Sequence, residues 1–183
     1  LLAAGAEVDP IAQDPGDDHA VTKNTPLWIA SIQGHAEVVS ALLSAGASID
    51  WSDRHDRATP LMAASQLGHV EVVATLLAAG AHADEPQFDD VTPLFMASQK
   101  GHVVILAALL AAGARVEGAK RSDGATPLWA ASSIGHTGAV SALLAAGAEV
   151  DPICQDPEDD DETKTTPLFV ASSEGHAEVV SVL

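Results

Sequence analysis

The chain repeats one short pattern five times, and this periodicity constrains its fold more than any other feature. Each copy contains Thr-Pro-Leu, then two small residues a few positions later, then Gly-His. Successive copies are separated by 34, 33, 34 and 40 residues. Such a period is typical of stacked supersecondary units, which usually offer a binding surface rather than a reaction centre. The repeated threonines are Thr25, Thr59, Thr92, Thr126 and Thr166.

The second copy shows what each unit is expected to form. Thr59 is a favourable helix N-cap, and Pro60 suits the first helical position, where a backbone N–H would have no partner. We expect a short helix from Pro60 to about Leu67, ended by Gly68, and a second helix from about Val70 to Ala78. An Asp-rich hairpin or loop then leads to the next copy. Helices this short are not stable alone, so the pairs must stack.

The repeated unit resembles the ankyrin repeat, whose pattern is G-x-T-P-L-H, then A-A-x-x-G-H, then V-V-x-x-L-L-x-x-G-A. The resemblance covers nearly the whole chain. It implies an all-α solenoid of stacked helix-turn-helix units with projecting hairpin loops. We expect a single array over residues 1–183, with a partial repeat at 1–24 and repeats starting near residues 25, 59, 92, 126 and 166, the last one truncated.

Two positions depart from the ankyrin pattern. The glycine two residues before the Thr of Thr-Pro-Leu survives only as Gly124, so most hairpin turns should differ from those of the family. The family histidine after Thr-Pro-Leu is replaced by a large apolar residue in every copy. We expect this row to pack in the core, with an exposed ladder for an apolar ligand as the alternative. The row is Trp28, Met62, Phe95, Trp129 and Phe169.

The resemblance implies that the chain binds another macromolecule, a protein, through its concave face and its loop tips. The candidate strip on the first-helix surface is mostly neutral, so its affinity should come from shape and apolar anchors. It consists of Ile32, Gln33, Gln66, Leu67, Gln99, Lys100, Ser133, Ile134, Ser173 and Glu174. The candidate loop tips are His55, Asp56, Phe88, Asp89, Ser122 and Asp123.

The chain is strongly acidic, with 26 acidic and 8 basic residues and a formal net charge of −18. This charge repels nucleic acid and anionic membrane surfaces, so we expect neither as a partner. Two loops are longer than the others and carry extra carboxylates. The second is a candidate Ca²⁺ site, although it lacks EF-hand spacing; a basic partner or plain solvation are the alternatives. Its acids are Asp156, Glu158, Asp159, Asp160, Asp161 and Glu162.

Catalysis and cofactor binding find little support in the sequence. No nucleophile elbow, phosphate-binding loop or zinc-protease motif is present, so we expect a protein that is not an enzyme and has no cofactor. One cysteine excludes a disulfide within the chain and is compatible with a reducing compartment such as the cytoplasm. The Gly-His histidines recur about 10 Å apart, too far for one zinc ion. The resemblance implies that they make structural hydrogen bonds between the second helix and adjacent loops.

A structural role is the main alternative to partner binding. The ten residues 1–10 recur unchanged at 143–152, which indicates a duplicated block of about four units. Such blocks could build a long spacer or filament. Both ends are cut within a repeat, so we expect uncovered apolar surface there and possible end-to-end self-association.

Overall fold

The computed structural model describes residues 8–9, 25–51, 58–86, 90–118, 123–155 and 164–183. Within these ranges ten short helices form five helix-turn-helix pairs. The pairs are α1 Pro26–Ile32 with α2 Ala36–Ser44, α3 Pro60–Leu67 with α4 Val70–Ala78, α5 Pro93–Lys100 with α6 Val103–Ala111, α7 Pro127–Ile134 with α8 Thr137–Ala145, and α9 Pro167–Ser173 with α10 Ala177–Val182. The all-α solenoid predicted from the sequence is confirmed.

The only β structure among the described residues is a two-residue antiparallel ladder. Strand β1, Cys154–Gln155, pairs with β2, Lys164–Thr165, and Cys154 lies opposite Thr165. The ladder lies at the base of the second acidic loop, just before α9. It therefore holds the two ends of that loop together, as a hairpin would.

The first helix of every pair begins at the predicted threonine. Each threonine adopts extended backbone angles, and its Oγ1 accepts a hydrogen bond of 3.2 Å from the backbone N–H three residues later. Proline occupies the first helical position in each case. The cap satisfies one of the four N–H groups that a helix start leaves without a partner, which explains why these short segments begin where they do.

Glycine ends three of the first helices because the chain there turns into the left-handed region. Gly68, Gly101 and Gly135 have φ angles of +81°, +71° and +86°. A Cβ on Gly101 would also lie 2.7 Å from His136 Nδ1 in the next repeat, so only glycine fits. Helices α1 and α9 end one residue earlier than this pattern predicts, with Gln33 and Glu174 as right-handed caps.

The ten helices form two layers that enclose the core. The first helices pack side by side from α1 to α9, and the second helices do the same from α2 to α10. The leucine of Thr-Pro-Leu is fully buried in the first four pairs, whereas Leu168 on α9 is 42% exposed. Alanines such as Ala64, Ala97 and Ala131 are fully buried in the first layer, where their small size lets adjacent helices approach closely.

A row of carboxylates, which was not predicted from the sequence, links successive repeats. In four places an acid three residues after a Gly-Ala pair accepts a hydrogen bond from a backbone N–H in the following repeat. The pairs are Asp9 with Ser48, Asp50 with His82, Asp84 with Arg115, and Glu117 with Glu149, at 2.9, 3.2, 3.0 and 2.8 Å. Part of the acidic excess therefore holds neighbouring repeats in register.

Candidate functional site

The row of large apolar residues after Thr-Pro-Leu belongs mainly to the core. Met62 and Phe95 are 1% and 7% exposed, and they form a second buried cluster against which Trp129 packs. Trp28 is half-buried, and only Phe169 is largely exposed, at 56%. The predicted packing is confirmed for the middle of the row, and these residues do not form a continuous ligand-binding ladder.

The candidate strip lies at the C-terminal ends of the first helices. Leu67, Lys100 and Ile134 are the last residues of α3, α5 and α7, and all three are exposed. At the equivalent position, Gln33 and Glu174 cap α1 and α9 and are exposed too. The remaining strip residues lie one position earlier: Gln66 and Ser173 are exposed, and Ile32, Gln99 and Ser133 are half-buried. The structure thus places at least one exposed side chain per repeat along one edge of the first layer.

Histidines of the following repeat contact the helix ends that carry the strip. His69 Nε2 lies 2.7 Å from the Ile32 carbonyl oxygen, and His102 Nε2 lies 3.3 Å from that of Gln66. His176 Nε2 makes the same contact with Ser133 at 3.2 Å. The structural hydrogen bond predicted for the Gly-His histidines is confirmed for these three, but the partner is the end of the preceding first helix and not an adjacent loop. Each brace satisfies a carbonyl that the helix end leaves without a partner.

Most predicted loop-tip residues lie outside the described part of the chain. These are His55, Asp56, Phe88, Asp89 and Ser122, together with the candidate Ca²⁺ ligands Asp156, Glu158, Asp159, Asp160, Asp161 and Glu162. Asp123 is described and half-buried, and its Oδ1 accepts a hydrogen bond of 2.9 Å from the backbone N–H of Ala125. This contact orders the approach to Thr126, so at least one of its carboxylate oxygens has a structural partner.

An open cavity of about 450 Å³ lies on the loop side of the stack between α6 and α9. Its charged lining residues are Arg115, Glu117, Glu149 and Asp151. Arg115 already pairs with Asp84, and Glu117 already accepts from the Glu149 backbone. Among the described residues, no group of three or more His, Cys, Asp or Glu side chains is arranged to hold a metal ion. None of the described helices has the length and apolar composition to cross a membrane.

The sequence comparison supports the architecture independently. A family model for ankyrin repeats in three copies matches residues 1–87 and 82–154. No curated protein matches the chain. The matched ranges cover four of the five helix pairs, and the fifth, α9 with α10, has the same threonine cap and the same histidine brace. On the family match and the stacked, threonine-capped helix pairs together, this chain belongs to the ankyrin-repeat family.

Proposed function

We propose that the chain binds a protein partner through the exposed strip along the first-helix ends, on the face that the family resemblance identifies as concave, and through the loop tips beside it. Ankyrin repeats are generally protein–protein interaction modules and are typically not enzymes. The observation that carries the proposal is the exposure of apolar side chains in this row. Leu67 is 49% exposed and Ile134 is 51% exposed, on helices whose other leucines are fully buried.

Hydrogen bonds hold the helix ends that carry the strip in place, and this order favours binding. Each strip residue lies at the end of a helix that is capped at its start by a threonine, and most of these helix ends are held by a histidine from the next repeat. Little backbone order remains to be gained on binding, so the contact energy is not offset by ordering of the strip. The two exposed apolar side chains would serve as anchors, and the polar residues around them would exclude water.

A peptide-binding experiment tests this function without knowledge of the natural partner. A displayed library of random peptides is selected against the parent chain, and the affinities of enriched peptides are measured. A Leu67→Ser, Ile134→Ser double variant should bind them with about 2 kcal/mol less free energy, roughly thirtyfold weaker, since two apolar anchors are lost. The matched control is Val104→Ser on α6, which removes a 63% exposed valine from the second layer.

The outcome separates the strip from the rest of the surface. Both variants change exposed positions, so both should keep the parent's helical circular dichroism. Equal binding by the parent and the double variant would remove the strip from the proposal. Equal losses in the double variant and in the Val104→Ser control would show that binding is not specific to the first-helix ends.

End-to-end self-association is a second candidate, favoured by one particular surface. Leu168 and Phe169 on α9 are 42% and 56% exposed, and Val180 and Val182 on α10 are each 37% exposed. An exposed apolar face of this kind is a site where another apolar surface can dock. The spacer or filament role would use this face.

A further inference from the structure

The strip carries a positive charge that has no ion-pair partner among the described residues. Among the described side chains, two belong to Lys or Arg: Lys100 and Arg115. Arg115 pairs with Asp84, Nε to Oδ2 at 3.2 Å. Lys100 is exposed at the end of α5 and forms no ion pair with any described carboxylate. In a chain of net charge −18, Lys100 gives this edge of the first layer a cationic point.

The neighbours of Lys100 in the strip are neutral. Its equivalents on the adjacent helices are Leu67 on α3 and Ile134 on α7, both about half exposed. The next equivalent beyond Ile134 is Glu174 after α9, and the one before Leu67 is Gln33 after α1. Along the strip, the exposed side chains therefore run polar, apolar, cationic, apolar, anionic. This order is a chemical pattern that a partner can match position by position.

The spacing of the pattern suits a polypeptide. Adjacent first helices are separated by roughly 8–10 Å, so Leu67 and Ile134 are about 16–20 Å apart with Lys100 midway between them. A polyproline II segment presents the same face every third residue, about 9.3 Å along its axis. An α-helix presents nearly the same face every seventh residue, about 10.5 Å along its axis. Either backbone places successive side chains at the pitch of the strip.

We propose that the strip binds a peptide segment with a carboxylate between two apolar side chains, and with a basic residue beyond the second apolar one. This inference rests on the proposed function and specifies the partner's chemistry. The carboxylate pairs with Lys100, the apolar side chains cover Leu67 and Ile134, and the basic residue faces Glu174. The remainder of the segment must be neutral or basic, because the overall negative charge of the chain repels further acids.

The peptide selection described above tests the pattern when it is repeated on a charge-reversed strip. Peptides enriched on the parent should carry Asp or Glu between two large apolar residues, with three- or seven-residue spacing. Selection on Lys100→Glu should replace that acid with Lys or Arg and keep both apolar positions. A peptide enriched on the parent should bind Lys100→Gln somewhat more weakly than it binds the parent, because the exposed attraction is lost. It should bind Lys100→Glu about tenfold more weakly than the parent, because the attraction is replaced by repulsion.

The controls distinguish an incorrect charge pattern in the partner from an incorrect choice of binding surface. Val104→Ser should select the same peptides as the parent. If enriched peptides depend on Leu67 and Ile134 but show no acidic position, or if the Lys100→Glu selection is unchanged, the inference is overturned while the proposed function stands. Apolar residues at other spacings overturn it as well. If enriched peptides ignore the Leu67→Ser, Ile134→Ser change, both the inference and the proposed strip fail.

Discussion

The threonine caps allow a quantitative test, because the same hydrogen bond occurs in a buried and in a solvent-accessible setting. Thr59 Oγ1 and Thr166 Oγ1 each accept from an N–H at 3.2 Å. Thr59 is 1% exposed and its donor, Met62, is buried. Thr166 is half-buried and its donor, Phe169, is exposed. Substitution by valine removes the oxygen and keeps the side-chain volume, so it isolates the hydrogen bond.

The expected costs differ because water can replace only one of the two caps. In Thr59→Val the N–H of Met62 stays buried without a partner, which costs about 1–3 kcal/mol of unfolding free energy. In Thr166→Val water can reach the N–H of Phe169, so the cost should be about 0.5 kcal/mol, the low end for cap removal. Thr59→Ser keeps the cap and loses one buried methyl group, a cost of about 0.8 kcal/mol.

Urea unfolding followed by far-ultraviolet circular dichroism measures these costs. The three variants are compared with the parent at the same protein concentration, and coincidence with the tryptophan fluorescence transition checks two-state behaviour. The order of destabilisation should be Thr59→Val, then Thr59→Ser, then Thr166→Val. If Thr166→Val destabilises as much as Thr59→Val, burial of the donor does not set the value of the cap and the reasoning is refuted.

Three further predictions address other parts of the molecule. Gly101→Ala should destabilise the fold by more than about 2 kcal/mol, because it combines a positive φ with a clash against His136. Gly113→Ala should cost only about 1 kcal/mol, because φ is positive there but no atom lies within 4 Å of the added Cβ. Equal urea midpoints for the two variants would contradict this. Calorimetric titration with Ca²⁺ should show weak or absent binding, and submicromolar binding abolished by asparagine at residues 159–161 would instead establish a cation site. Sedimentation should show concentration-dependent association that Phe169→Ser reduces, and a parent chain that stays monomeric throughout would exclude docking through this face.

The elements that the sequence predicts well are those fixed by neighbouring residues. The threonine at the start of each first helix and Gly68, Gly101 and Gly135 at three of the ends act within a few residues, so their roles follow from local geometry. The exposure of Leu67 also follows from its place before the glycine, although its extent does not. These signals are sufficient for helix boundaries and for the family.

Contacts between repeats could not be predicted from neighbouring residues in the sequence. Whether His69 reaches the Ile32 carbonyl, or Asp84 the Arg115 backbone, depends on how far and at what angle one helix pair lies from the next. A signal for the carboxylates was present, since an acid recurs three residues after the final alanine of each Leu-Leu-x-Ala-Gly-Ala segment. Its meaning required the stacked structure. The predicted tips and the candidate Ca²⁺ ligands outside the described residues remain predictions.

The row of carboxylates between repeats has a consequence for how such a chain can grow. Each acid accepts from a main-chain N–H, a donor that any residue other than proline supplies, and the receiving residue is serine, histidine, arginine and glutamate in turn. The side chains of His82 and Arg115 also pair with the acid, but the main-chain bond does not need them. The contact between repeats is therefore the same in all four places: a carboxylate accepts from a main-chain N–H, whatever side chains the two repeats expose. A block copied within the gene, as residues 1–10 and 143–152 indicate, would fit its new neighbours without adjustment, and its exposed residues would be free to diversify.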